Sequence, residues 1–127
     1  MKPPEDYPEG LQFVPMIWSK QNLKEQLIEI HNQISNKRCK YVLGFNEPDL
    51  ESQTGMTVDE ALSLWPQLEA LAVPLGSPVA SAPLNLWMRS FMQKADEAGR
   101  RIDFITVHLY DMYKPEVAHM SPNLNPN

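Results

Sequence analysis

Apolar residues gather in four short runs along the chain, at Phe13 to Trp18, Tyr41 to Phe45, Ser77 to Ala82 and Asp103 to Tyr110. These runs recur about every 26 to 36 residues. Phe45, Ile105 and Val107 sit among near-continuous apolar neighbours rather than in strict alternation, which predicts strands buried on both faces of a parallel sheet. Pro15 and Pro78 weaken the first and third strand predictions, because proline cannot donate to a ladder. Between the runs the period changes to that of helices. Leu23, Leu27, Ile30 and Ile34 share one face over residues 22–35, with Asn22 and Glu25 as a cap pair. Ala61, Leu64, Leu68 and Leu71 form a second stripe behind a Thr57/Glu60 capping box, which Pro66 is expected to kink or interrupt. Met88, Phe91, Met92 and Ala95 form a third, and Gly99 is placed to end it.

Strand, helix, strand, helix, strand, helix, strand is the order of right-handed βα crossovers on a parallel sheet. An open doubly wound sheet and a barrel both satisfy it. A complete eight-stranded α/β barrel takes about 250 residues, so four units in 127 residues would be half of one.

Composition narrows the partners. With 43% hydrophobic and 21% charged residues the chain can bury a core as a single domain. A net charge of -5, with basic residues scattered, argues against nucleic acid or an anionic membrane as partner. No apolar run approaches the roughly 20 residues of a membrane span, and Met1 to Gly10 has no signal-peptide core. Cys39 is a lone cysteine and reads as a buried structural thiol. Twelve prolines cluster toward the ends and beside the apolar runs, where loops tolerate them.

In a parallel α/β sheet ligands bind at the C-terminal edge of the strands. The residues closing the four runs are Trp18; Asn46 and Glu47; Ser81 and Ala82; and His108 and Tyr110. Aromatic faces, an amide and a carboxyl on one rim suit a sugar, whose apolar face stacks and whose hydroxyls hydrogen-bond. Glu47, in Asn-Glu-Pro after five apolar residues, is the candidate acid, since burial of a carboxyl favours its protonated form. Asp49, beyond the proline, is read first as a loop-ordering side chain bonding nearby N–H groups and second as a substrate contact. Trp65 and Trp87 fall in helices and read as packing. His31 lies in mid-helix and His119 in the proline-rich tail, so no metal set forms around His108, and neither metal nor cofactor is expected. No Gly-rich phosphate loop, G-x-S-x-G elbow or Cys-His pair is present.

Gly44-Phe-Asn-Glu-Pro-Asp49, Leu75 to Pro83, Trp87 to Met92 and Arg101 to Tyr110 occur in an order that resembles glycoside hydrolase family 128, the Asl1-like glycosyl hydrolase catalytic domain. Phe13 to Trp18 resembles that family's earlier strand. The likeness runs from about Phe13 to Tyr110. It implies a partial (β/α)8 TIM barrel of about four βα units, strands three to six of the family barrel, forming one partial catalytic domain over residues 1–127. It also implies retaining endo-β-1,3-glucanase chemistry, with Glu47 as acid/base, Asn46 beside the scissile sugar, and His108 and Tyr110 on the sixth strand. Trp18 and, on its loop, Asp49 complete the expected glucan contacts. Leu109 departs from the tryptophan often found between His108 and Tyr110.

Retaining hydrolysis needs a second carboxylate about 5 to 5.5 Å from the first. The resemblance assigns that nucleophile to the seventh strand, and no strand-like run after Tyr110 ends in glutamate; Glu116 follows the fourth run too closely. The chain by itself is therefore expected to be inactive, with a β-glucan or other polysaccharide as partner. The alternatives are a non-catalytic glucan-binding module, or a half-barrel that self-associates through exposed sheet edges. Family members are often secreted or attached to cell walls, and this chain shows no export signal.

Overall fold

A computed structural model describes residues 11–108. Tyr110, Leu109, Glu116 and His119 lie outside the described residues. Three helices alternate with the apolar runs: α1 (Leu23–Ser35), α2 (Val58–Glu69) and α3 (Leu86–Glu97). The runs pair in chain order and all in parallel, the third beginning at Pro74 rather than Ser77: Met16 lies beside Leu43, Val42 beside Leu75, Asn46 beside Val79, and Gly76 beside Phe104. All three helices contribute to one core that includes Ile17, Val42, Phe45, Trp65, Leu75 and Phe91, so they cover a single face of the sheet. Sequential parallel order with helices on one face is the arrangement of a singly wound α/β structure.

The pairing is a series of short contacts rather than four continuous strands, and two prolines lie within it. Pro15 enters the ladder through its carbonyl, which accepts from the Leu43 N–H at 2.9 Å. Pro78 cannot donate to the second run, and there the pattern changes phase. Val42 bonds to the third run and Leu43 to the first, so regular alternation would turn Phe45 toward the first and Asn46 toward the third. Instead the Phe45 carbonyl accepts from Val79 N–H (2.8 Å), the Asn46 N–H donates to the Trp18 carbonyl (3.0 Å), and the Glu47 N–H donates to the Val79 carbonyl (2.6 Å). Gly44 stands at the change. A Cβ there would lie 2.8 Å from the Trp65 ring and 3.0 Å from the Pro78 nitrogen, so only glycine lets the chains approach this closely.

Helix ends show which local predictions the chain obeys. The Thr57/Glu60 capping box forms with both bonds at 3.0 Å. Asn22, by contrast, lies in the left-handed region (φ 55°) and makes no side-chain cap. Gln26 organises that entry instead, donating to the carbonyls of Ser19 and Gln21 and accepting from the Trp18 N–H. Pro66 does not interrupt α2, which continues to Glu69. Its ring is exposed, and on that side the carbonyl deprived of a helical donor can turn to water. Gly99, at φ 70°, ends α3: its N–H donates to the Asp96 carbonyl and the Arg100 N–H to that of Ala95, which satisfies two otherwise unpaired carbonyls.

Trp65 is the centre of the core. It is fully buried, meets Phe45 and Phe91 edge-on, and donates its indole N–H to the Arg101 carbonyl at 2.9 Å. Trp87 stacks on Phe91 and donates to the Met56 carbonyl. Cys39 is a buried free thiol whose pKa burial pushes up. Ile105 and Val107 depart from the expectation of burial on both faces, being 49% and 41% exposed. The fourth run is one of the two edge runs, and about half of each of these side chains is left open to solvent.

Candidate active site

The second run ends in a backbone turn that is unusual for its residue type. Glu47 has φ 40°, in the left-handed region, which costs an L-residue with a Cβ about 1 to 2 kcal/mol. The residue is buried all the same. Its N–H is fixed on the third run through Val79, its carbonyl accepts from the Leu50 N–H at 3.1 Å, and its Oε2 shares a 2.9 Å hydrogen bond with Nδ1 of His108. Residues 61 positions apart are thus brought together by the parallel order of the second, third and fourth runs. That pairing places the candidate acid and the candidate histidine at one rim.

Asn46 is buried beside Glu47. Its amide nitrogen donates to Gln53 Oε1 at 3.2 Å, and its carbonyl accepts from the Thr54 hydroxyl at 2.8 Å. The loop of residues 50–56 therefore folds back over the end of the second run, held also by the Met56 N–H on the Pro48 carbonyl. Trp18 lies at the end of the neighbouring first run with 42% of its surface exposed, and its carbonyl receives the Asn46 N–H. An exposed indole one chain away from the Asn-Glu pair offers a flat apolar surface.

Asp49 faces a different set of partners. Its Oδ1 accepts from the Ser81 N–H at 2.9 Å, and its Oδ2 accepts from the Ser81 hydroxyl and from Asn85 Nδ2, the latter at 3.0 Å. Burial alone would raise this carboxyl, but the bonds from Ser81 and Asn85 outweigh it and hold the pKa below the usual aspartate value. Ser81 was visible in the sequence as a strand-end residue but not as a partner of Asp49. Asn85 is not among the residues the sequence pattern marks for the site, although an asparagine three residues before the Met88 of an apolar stripe is a helix-cap signal, and its Oδ1 does accept from the Met88 N–H.

Among the described residues no group of three or more histidine, cysteine, aspartate or glutamate side chains could hold a metal ion. No described helix is long and apolar enough to cross a membrane.

A buried glutamate, a histidine, an amide and an exposed indole at the ends of successive parallel segments set hydrogen-bonding groups beside a flat apolar surface on one rim. Residues 1–124 match the model of the glycosyl hydrolase catalytic core. The chain belongs to that family. Within it the likeness to solved structures makes the chain a partial glycoside hydrolase family 128 domain. It is 35% identical to a subgroup I endo-β-1,3-glucanase from Amycolatopsis mediterranei solved with laminaritriose, at a TM-score of 0.74 over 95% of this chain and 51% of that one. A subgroup III curdlan-specific exo-β-1,3-glucanase from Blastomyces gilchristii, solved with glucose, is 28% identical over 83% of this chain and 47% of that one, at a TM-score of 0.69. A subgroup II endo-β-1,3-glucanase from Sorangium cellulosum is 28% identical over 79% and 43%, with a TM-score of 0.62. No curated protein matches the sequence. The family 128 chain described here thus spans about half the length of the solved relatives it resembles.

Proposed function

We propose that this chain carries the acid/base half of a retaining β-1,3-glucanase site, on four βα units that correspond to strands three to six of a (β/α)8 barrel. The observation that carries the reading is the buried Glu47 carboxyl, hydrogen-bonded to His108 at the end of a parallel run within a family 128 sequence. Supporting the barrel are the sequential parallel order, the helices on one face, and the half-length match to family 128 enzymes. Glu47 is the proton donor to the leaving sugar and then the base that activates water. Asn46 bonds the sugar at the scissile position, Trp18 and Tyr110 stack on neighbouring sugars, and His108 contacts substrate from its place beside Glu47. Asp49 orders the loop.

Among the described residues just beyond Glu47, no acid suits the role of partner carboxylate. Of the acids just beyond Glu47, Asp49 has both oxygens engaged by Ser81 and Asn85, and Glu51 is exposed on the loop. Without a nucleophile the covalent step is lost, and positioned acid catalysis alone supplies about 10²- to 10⁴-fold at best. The purified chain is expected to bind laminari-oligosaccharides, to lose that binding on Trp18→Ala, and to release little or no reducing sugar from laminarin. Robust turnover abolished by Glu47→Gln would overturn the half-site reading, because it would require a nucleophile within these 127 residues.

A second reading is favoured by one observation. Val14, Tyr41, Leu43 and Phe104 line an apolar hollow of about 400 Å³ on the face opposite the helices. Two copies pairing these faces and the sheet edges would cover it. Sedimentation at micromolar concentration decides: a dimer supports the paired form, and a clean monomer removes it.

A further inference from the structure

Glu47 is held in a left-handed turn immediately before a proline, which has no N–H with which to brace it. The next residue able to fix the turn is Asp49. Its carboxylate meets three donors, the Ser81 N–H, the Ser81 hydroxyl and Asn85 Nδ2, and two of these lie on the residue two places beyond Val79, the residue that receives the Glu47 N–H. Glu47 and Asp49 are therefore pinned to Val79 and Ser81 on the same neighbouring run. Asn85 is itself fixed, since its Oδ1 caps α3 through the Met88 N–H at 3.0 Å. The clamp thus ties the turn after the second run to the end of the third and to the first turn of α3.

The geometry points to Asp49, with Ser81 and Asn85, as a positioning residue for Glu47: the clamp keeps the left-handed turn closed and so sets the carboxyl against His108. This assignment rests on the reading of Glu47 as the acid/base. It accounts for the residue type. A carboxylate offers acceptors to all three donors at once, whereas an asparagine offers one oxygen and would turn its NH₂ against that of Asn85. A strained turn of this kind persists only where its surroundings over-determine it.

The test reads the Glu47–His108 pair directly. In ¹⁵N-labelled chain at fixed neutral pH, the His108 imidazole signals, assigned with a His108→Asn sample, report the carboxylate bond at Nδ1, and the Trp65 and Trp87 indole N–H signals report the fold. Asp49→Ala is expected to lose the paired His108 signature while both indole signals stay in place. The double variant Asp49→Asn/Asn85→Asp reverses the polarity of that bond, keeps a good helix cap at position 85, and is expected to restore the signature. An unchanged His108 signature in Asp49→Ala overturns the proposal, as does a loss that appears only with displaced indole signals and is not rescued by the reversed pair. Should Asp49→Ala not fold, Ser81→Ala and Asn85→Ser each remove one donor; a partial loss supports the clamp and a wild-type signature overturns it. Laminaritriose titration of the same samples separates the two readings. Loss of the signature in a chain that binds no glucan leaves the clamp and removes the glucanase reading, whereas glucan binding with an unchanged signature does the reverse.

Discussion

The two faces of the sheet are built to different standards. On the helix side Ile17, Val42, Phe45 and Leu75 are buried against Trp65, Leu68 and Phe91, and even the indole N–H of Trp65 has a partner. On the other side Val14, Tyr41, Leu43 and Phe104 line an open apolar hollow, with Tyr41 meeting Phe104 edge-on at 6.2 Å, while Ile105 and Val107 are exposed. Both faces are apolar in sequence, so hydrophobicity alone does not distinguish them. The difference lies in what the chain supplies to cover each face. Helices between consecutive parallel runs pack on one side by the handedness of the crossover, whereas the opposite face of a barrel-type sheet is covered by strands from across the barrel. The helix side should therefore govern stability.

The largest expected effect comes from emptying that side. Trp65→Ala removes the largest fully buried side chain together with its bond to Arg101, and a loss of about 3 to 5 kcal/mol is expected. Urea unfolding measures it, and a loss under 1 kcal/mol would break the comparison. Gly44→Ala comes next. The added Cβ would sit 2.8 Å from the Trp65 ring and 3.0 Å from the Pro78 nitrogen, and overpacking of this kind costs about 1 to 3 kcal/mol.

These same positions show how far the sequence could be read. The order of runs and helices, the capping box at Thr57 and the stop at Gly99 were legible, because each depends on local chemistry at fixed spacing. The change of phase at Gly44 was not, since it needs Pro78, 34 residues away, to be its neighbour. Asn22 misled for a similar reason: its residue type suits a cap, yet at φ 55° its side chain accepts no helix N–H, and the entry is tied by Gln26 donating to the Ser19 and Gln21 carbonyls. At the site, Asn46 and Glu47 stood out as polar residues ending an apolar run. Their bonds to Gln53, Val79 and His108, and the clamp on Asp49, come from chain reversals that periodicity does not encode.

A smaller effect separates the rim from both faces. The Asp49 carboxyl is held below its ordinary value, so the unfolded chain takes up a proton on it before the folded chain does. Its contribution to stability is present above the unfolded value of about 3.9 and is lost as pH falls through the lower folded value. Asp49→Asn is therefore expected to flatten the acid limb of the stability curve below about pH 4 without steepening it near neutrality. Thermal unfolding of both proteins from neutral pH to pH 3 checks the sign. A wild-type acid limb in the variant would show that the bonds to Ser81 and Asn85 add nothing there.

The smallest effect should come from the open face. Tyr41→Ser removes a ring with more than a third of its surface exposed and a single edge-on contact to Phe104, and such aromatic pairs are worth about 0.5 to 1.5 kcal/mol. If the hollow is simply solvated, the variant should unfold within that margin of the wild type and sediment identically. If a second copy covers it, Tyr41→Ser should cost little in the monomer at low concentration and far more where the wild type pairs, because the ring then leaves an interface rather than water. Measuring the urea midpoint at two protein concentrations a hundredfold apart makes the distinction. A concentration-dependent gap between variant and wild type would mean that the open face is the more important one in the assembled protein, which is the result that would reverse the ranking argued from Trp65.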